Sequence, residues 1–163
     1  MKRFLIIGIA LMLAACGGSG GKAKATPMPA PTEAPTPTPI PIDFEKCYQK
    51  MKDEGSTVLY DFVQDFYVGL GDDGKTINIT VIVDDDADTS KVLEYTHMLI
   101  KELNMYAAEQ DGSLEAASSD SYGGLYKRYR ALVGVSTESN KDDSDKWLIY
   151  DAITNPSQFV ELK

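Results

Sequence analysis

The chain has 163 residues, a formal net charge of −9 and a single histidine. From residue 43 onward it carries 24 acidic and 12 basic side chains, so this part lacks the basic face that nucleic-acid phosphates require. The composition therefore argues against nucleic acid as a partner. The length of this part of the chain, about 120 residues, suits one globular domain.

The first fifteen residues have the parts of a secretory signal. Lys2 and Arg3 precede twelve residues without a polar side chain, positions 4–15. As a helix this run spans roughly 18 Å, whereas a bilayer core takes about 20 apolar residues, so it is too short for a good transmembrane helix. A positive start, a short apolar core and small residues before a break are typical of a signal peptide, which we assign to residues 1–15.

The small residues end in a cysteine, in the sequence Leu13-Ala14-Ala15-Cys16. This stretch resembles the lipobox of bacterial lipoproteins. The resemblance implies that the Cys16 thiol receives a diacylglyceryl group, that signal peptidase II cuts just before Cys16, and that the new amine is acylated. Two or three acyl chains anchor a protein stably where one is marginal. We therefore expect a lipid anchor on the extracytoplasmic face of a cell membrane. A secreted protein with an incidental Cys16 and an uncleaved anchor helix are the alternatives.

Residues 16–42 are interpreted as a linker. Four glycines and a serine follow Cys16, and seven prolines mixed with threonine and alanine lie between positions 26 and 42. Proline at this density favours extended polyproline II, and sixteen such residues span roughly 50 Å. We interpret this segment as a semi-rigid spacer. A ligand for a proline-recognising partner and a glycosylated stalk are the alternatives.

We assign the domain to residues 43–163. Its first half contains two predicted helices and two predicted strands. Apolar residues at helical spacing predict helices over 44–54 and 90–109. Strict alternation predicts a strand over 76–83, after a hairpin signal of glycine and aspartate. The stretch 57–70 fits both periods, and its β-branched and aromatic content favours a strand.

The second half adds two more predicted strands, 126–137 and 146–153, and a short terminal strand at 159–162. The resulting order is α-β-β-α-β-β. Hairpins of alternating strands with helices between them favour an antiparallel sheet that carries its helices on one face. We therefore predict an α+β fold, with an antiparallel sheet of two hairpins.

Three features were tested as metal or catalytic sites. The acidic run Asp84–Asp88 lacks the glycine and the bidentate glutamate of a calcium-binding EF-hand loop, so we interpret it as the start of a helix. His97 has no second histidine or spare cysteine for zinc or triad chemistry. Cys47 lies on the apolar side of a predicted helix and is interpreted as a buried thiol, with an intermolecular disulfide as the alternative.

One basic cluster interleaved with aromatic residues is the predicted binding site. In a strand, Tyr126, Arg128 and Arg130 share one face, and Tyr122 lies close by in the sequence. Tyrosine and arginine dominate binding hot spots, so this face is our candidate for ligand contact. The alternative is that the arginines pair with acidic residues across the sheet.

The sequence thus favours a non-enzymatic surface lipoprotein whose domain binds a protein, a peptide or a cell-envelope polymer. It predicts no metal, no cofactor and no catalytic residue. A small cell-envelope hydrolase that uses carboxylates is one alternative, since pairs of carboxylates are abundant. An accessory subunit of a larger membrane complex is the other.

Overall fold

The computed structural model describes residues 38–55 and 60–163. Cys16, the signal peptide and most of the linker lie outside these residues, as does the beginning of the predicted strand 57–70. All described residues belong to one unit of the chain, Pro37–Lys163. Within them, no helix combines the length and the apolar character that crossing a membrane would take.

The described residues form an α+β fold. The helices are α1 (Phe44–Glu54), α2 (Thr89–Gln110) and a single turn, α3 (Leu125–Arg128). The strands are β1 (Val63–Leu70), β2 (Thr76–Val83), β3 (Arg130–Thr137) and β4 (Ile149–Ile153). Two 3-10 turns, Glu138–Asn140 and Ser144–Lys146, lie between β3 and β4.

Aspartate side chains define where the two long helices begin. Asp43 precedes α1 and accepts a hydrogen bond from the Lys46 amide at 3.0 Å. Asp88 precedes α2 and accepts from the amides of Ser90 and Lys91, which have no partner within the helix. The end of the acidic run at 84–88 is therefore the N-cap of a helix, as the sequence predicts.

The turn between β1 and β2 depends on one glycine and one aspartate. Gly74 has a φ of +64°, a left-handed conformation that side chains disfavour. Asp73 accepts hydrogen bonds from the Lys75 amide and from both the amide and the hydroxyl of Thr76. These bonds lower the pKa of Asp73 and fix the start of β2.

The four strands form one mixed sheet in the order β1-β2-β3-β4. The pairs β1–β2 and β3–β4 are antiparallel, whereas β2 and β3 are parallel, with Ile79 opposite Val133. The predicted antiparallel arrangement is therefore wrong at the central pair. Parallel neighbours need a long crossover, and α2 provides it.

The predicted strand 126–137 also differs, because its first residues form α3. The Leu125 amide donates to the Asn104 side chain at 2.9 Å, and the Tyr126 hydroxyl donates to the Ile100 carbonyl at 2.8 Å. Both bonds join this turn to α2, and β3 begins only at Arg130. The short strand predicted at 159–162 does not form either.

The core lies between the helices and one face of the sheet. Alternate strand residues on that face are almost fully buried, as are the apolar residues on the side of α2 that faces the sheet. The largest fully buried side chains are Tyr95, Tyr122, Tyr126, Met51, Ile77, Ile79, Leu99, Ile100, Leu103, Leu125, Ile149 and Ile153. The other set of alternate strand residues points away from the helices.

The last ten residues are attached to the core through Tyr122. Its amide donates to the Pro156 carbonyl at 2.7 Å, and its hydroxyl oxygen accepts from the Val160 amide at 3.2 Å. Burial raises the pKa of Tyr122 to about 12, so the hydroxyl keeps its proton, and its oxygen forms a hydrogen bond with Nδ1 of His97, 2.6 Å away. The ring of Phe159 packs against both Tyr122 and His97.

His97 should therefore make the stability of the domain depend on pH. Burial and the charge of Lys101 lower the pKa of His97 below its ordinary value of about 6.5. The folded state resists protonation more than the unfolded state, so the free energy of unfolding should decrease as pH falls below about 6.5. The side-chain amide of His97→Gln can still form a hydrogen bond with Tyr122 but does not titrate. In this variant the free energy of unfolding should no longer depend on pH between neutral pH and the range where carboxylates titrate. Urea unfolding at several pH values measures it, and an unchanged slope in the variant would contradict the assignment.

Candidate functional site

The residues of the predicted basic and aromatic cluster do not come together on one face. Tyr122 and Tyr126 are buried in the core, at 0% and 1% exposure. Arg130 is exposed, and its guanidinium donates to Thr76 and Asp73 in the neighbouring turn. Because residues 125–128 are helical, the shared strand face that the sequence predicts for them does not form.

Arg128 belongs to a network around Asp111 that closes the end of α2. Asp111 is 3% exposed, and its carboxylate accepts from Arg128 at 2.7 Å, from the Ile40 amide at 3.2 Å and from both the amide and the hydroxyl of Ser113. The hydrogen bonds of Ser113 and Arg128 hold the pKa of Asp111 far below its usual range. Arg128 therefore pairs with an acidic residue, although the pair lies at the end of α2 and not across the sheet, where the alternative placed it.

Cys47 and the acidic run at 84–88, two further candidates from the sequence, also form hydrogen bonds within the domain. Cys47 is fully buried, its sulfur accepts a hydrogen bond from Gln110, and burial raises the pKa of its thiol to about 11. In the acidic run, Asp84 accepts a hydrogen bond from the Gln64 side chain, and Asp85 accepts one from the Ser139 amide. Across residues 38–55 and 60–163, histidine, cysteine and carboxylate side chains nowhere gather in a set of three that would hold a metal ion.

Two concave regions were considered as catalytic sites. One, of about 450 Å³, lies beside α2 and is lined mainly by methionine, leucine and alanine side chains. The other, of about 510 Å³, contains Asp61, Asp84 and Glu94 together with Lys91. A carboxylate hydrolase needs one carboxyl group whose pKa is raised. The carboxyl pKa values that move most clearly, those of Asp73 and Asp111, are both lowered, and neither residue lines these two regions.

The sheet has a second face that no described helix covers, and it carries exposed aromatic residues. One line of residues crosses all four strands, because Tyr67 is opposite Thr80, Thr80 is opposite Gly134, and Gly134 is opposite Tyr150. The exposed fractions are 51% for Tyr67 and 54% for Tyr150. Together with Trp147 and Leu132, this line of residues is called the open face below.

The Trp147 ring packs on Gly134, in the middle of the open face. A Cβ atom placed on Gly134 would come within 2.1 Å of the Trp147 ring, so the absence of a side chain at Gly134 makes room for the indole. The indole N–H donates to the Lys141 carbonyl at 3.2 Å, which ties the loop after β3 to this face. The ring is half-buried and packs edge-on against Tyr150, 5.4 Å away.

The two tyrosines at the ends of the line each pack against another aromatic ring. The Tyr67 ring lies over Gly69 and contacts the ring of Tyr48 at 5.6 Å. Tyr150 carries the ammonium group of Lys163 at 5.5 Å from its ring centre. The open face is therefore a shallow aromatic surface and not a pocket.

One end of this surface is strongly acidic. Because β2 and β3 are parallel, the segments that follow them lie at the same end of the sheet, beside the start of β1 and β4. This acidic border consists of Asp61, Asp84, Asp85, Asp86, Glu138, Asp142, Asp143 and Asp145. Nearby lysines neutralise it only in part: Lys141 pairs with Glu138 and Lys146 with Asp143, whereas Asp142 and Asp145 form no ion pair within the described chain.

The sequence contains a signal for the open face, separate from the basic and aromatic cluster that was predicted as the binding site. In the strand 63–70, the apolar residues Phe66 and Val68 occupy one face, so the alternation leaves Tyr67 on the solvent side. A set of large apolar side chains exposed on one surface is an informative observation, whereas a single one is not. Nothing in the local sequence indicates that Trp147 folds onto Gly134, since that contact joins two separate segments.

Comparisons with models of protein families, with curated proteins and with solved structures find no match for this chain. The geometry of its own residues is therefore the basis for assigning a function.

Gly134→Ala should displace Trp147 from the open face. The added methyl group overlaps the indole, and such overpacking costs about 1–3 kcal/mol. We expect a lower free energy of unfolding in urea and a red-shifted emission from Trp147, the only tryptophan in the chain. Gly112→Ala is the matched control, because a Cβ atom there meets nothing within 4 Å. Equal stability and emission in the two variants would show that the indole does not lie on Gly134.

Proposed function

We propose that this protein is a membrane-anchored surface lipoprotein whose domain binds a protein partner through the open face. The observation that carries the proposal is the exposed line from Tyr67 to Tyr150, with Trp147 lying between them. Large aromatic side chains on a sheet face have a cost in solubility, so an uncovered set of them favours a surface that is covered in use.

The shape of the open face favours a macromolecule over a small ligand. Sites for small molecules are concave and bury most of the ligand, whereas this surface is shallow and spans four strands. Three strand spacings separate the ends of the line, about 14 Å. A partner can cover such a surface only with an extended segment or a flat face of its own.

The residue types favour a protein over a cell-envelope polymer. Tyrosine and tryptophan are enriched at the centre of protein interfaces. Leu132, 39% exposed, and the half-buried Ile82 lie on the same face and offer aliphatic contact area that an apolar side chain would match. A hydrated polysaccharide has little to bury against these two residues.

The lipid anchor and the spacer support the same function. By the lipobox resemblance, acyl chains on Cys16 hold the chain at a membrane, and the proline-rich linker holds the domain away from it. A binding domain that is displayed in this way reaches partners outside the membrane. Its negative charge repels the anionic lipid surface, so the open face remains available.

Cys16→Ser tests the anchor. Because the thiol is the site of lipid attachment, the variant should move from the membrane fraction to the soluble or secreted fraction and lose metabolic labelling by palmitate. Cys47→Ser is the matched control for the loss of a thiol and should remain in the membrane fraction. A Cys16→Ser chain that still fractionates with membranes and still incorporates palmitate would contradict the lipoprotein assignment.

Oxidative footprinting of the full chain tests the open face. On cells that produce the protein, Tyr67, Trp147 and Tyr150 should be oxidised several-fold more slowly by hydroxyl radicals than in the purified chain, because the partner covers them. Met105 is the control, since it is 48% exposed and belongs to α2 on the other side of the sheet. Equal oxidation of the three aromatic residues in both samples would overturn the proposal.

A further inference from the structure

We infer that the partner covers the open face with an extended basic segment, which places lysine or arginine side chains on the tyrosine rings. This inference rests on the proposed function and names the chemistry of its partner. Three observations carry it: the cations that the protein already holds on its aromatic residues, the charge of the border, and the spacing of the two tyrosines.

The first observation is that Tyr150, at one end of the aromatic line, already carries an ammonium group, and that Tyr48, beside the other end, carries a second one. Lys163 lies over the ring of Tyr150 at 5.5 Å, and Lys52 lies over the ring of Tyr48 at 5.3 Å, next to Tyr67. The negative face of an aromatic ring attracts a cation at such distances. A basic side chain of a partner would make the same contact, and at Tyr150 it would replace Lys163.

The second observation is the distribution of charge around the open face. The acidic border contains eight carboxylates, and the lysines near it are Lys91, Lys141, Lys146 and Lys163. At the opposite end of the sheet, Arg130 pairs with Asp73, so the charges there are balanced. A basic segment is therefore attracted to the end of the open face that adjoins the acidic border, and an acidic segment is repelled from it.

The third observation is geometric. Tyr67 and Tyr150 are separated by three strand spacings, about 14 Å. In an extended chain, side chains on one side recur at about 6.8 Å, so residues four positions apart are also separated by about 14 Å. An extended segment that crosses the strands can therefore place one basic side chain on Tyr67 and another, four residues further along the segment, on Tyr150.

The test is a fluorescence titration of the full chain in neutral detergent, with Trp147 as the reporter. The probe is a peptide of alternating arginine and serine, compared with a peptide of alternating glutamate and serine and with a neutral glycan. We expect the arginine peptide alone to change the emission, with an affinity that weakens as ionic strength rises from about 0.05 to about 0.5 M. No change with the arginine peptide, or an equal change with either comparison ligand, would overturn the inference.

Variants locate the binding site. Tyr150→Leu should weaken binding of the arginine peptide roughly three-fold, and Tyr67→Leu with Tyr150→Leu roughly ten-fold, because leucine keeps the bulk but removes the ring. Asp142→Asn should weaken binding about two-fold and Asp72→Asn, at the other end of the sheet, should not. Binding that the two leucine substitutions leave unchanged would mean that the peptide binds elsewhere on an acidic protein, which overturns the inference.

Lys163→Met should strengthen binding of the arginine peptide, whereas the variants above weaken it. It removes the ammonium group that occupies Tyr150, so the arginine peptide should bind several-fold more tightly than to the Lys75→Met control, which removes a lysine at the opposite end. Equal affinity in the two variants would contradict competition at Tyr150. Footprinting separates the two proposals: protection on cells without binding of the arginine peptide overturns the inference alone, whereas unprotected aromatic residues overturn the proposed function.

Discussion

The parallel pairing of β2 with β3 is the constraint on which the rest of the structure depends. Parallel neighbours cannot be joined by a tight turn, so the chain between them must cross over the sheet, and it does so as the 22-residue helix α2. Together with α1 and α3, the helix buries one face of the sheet. Within the part of the chain that the structure describes, the other face is covered only where the loop before β4 brings Trp147 onto Gly134.

The same pairing determines the chemistry at the end of the sheet. Two parallel strands end side by side, so the acidic residues after β2 and those after β3 become neighbours although about fifty residues separate them. The amide of Ser139 donates to Asp85 and links the two segments directly. The loop that follows then brings Trp147 onto Gly134. A charged border and an aromatic surface thus adjoin because of one strand register.

Local chemistry in the sequence was enough to predict most elements. The alternation in β2, the periodicity of α1 and α2, and the glycine-aspartate turn are set by neighbours within a few residues, and each of these predictions is close to the structure. The pairing of β2 with β3 is not local, because alternation says which face a residue occupies but not which strand lies beside it. Hence the sheet was predicted as antiparallel.

The site shows the same limit at the level of single residues. Tyr126 and Arg128 looked like an exposed face because the apolar and basic residues around them fit a strand. The contacts that override this are the hydrogen bonds of Tyr126 to α2 and of Arg128 to Asp111, which lie 26 and 17 residues away in sequence. Tyr67 could have been assigned to the solvent side by alternation alone, whereas Trp147 required the tertiary fold.

In the function that we propose, the acidic border gives the open face its selectivity. Exposed aromatic rings attract many surfaces, and in the anchored protein that we propose the most abundant one nearby is the membrane itself. Carboxylates at one end of the face make contact with anionic lipid and with acidic proteins unfavourable, while a basic segment gains from both the rings and the charges. In the function that we propose, the excess of acidic over basic side chains in the domain would therefore help to select the partner, in addition to providing solubility.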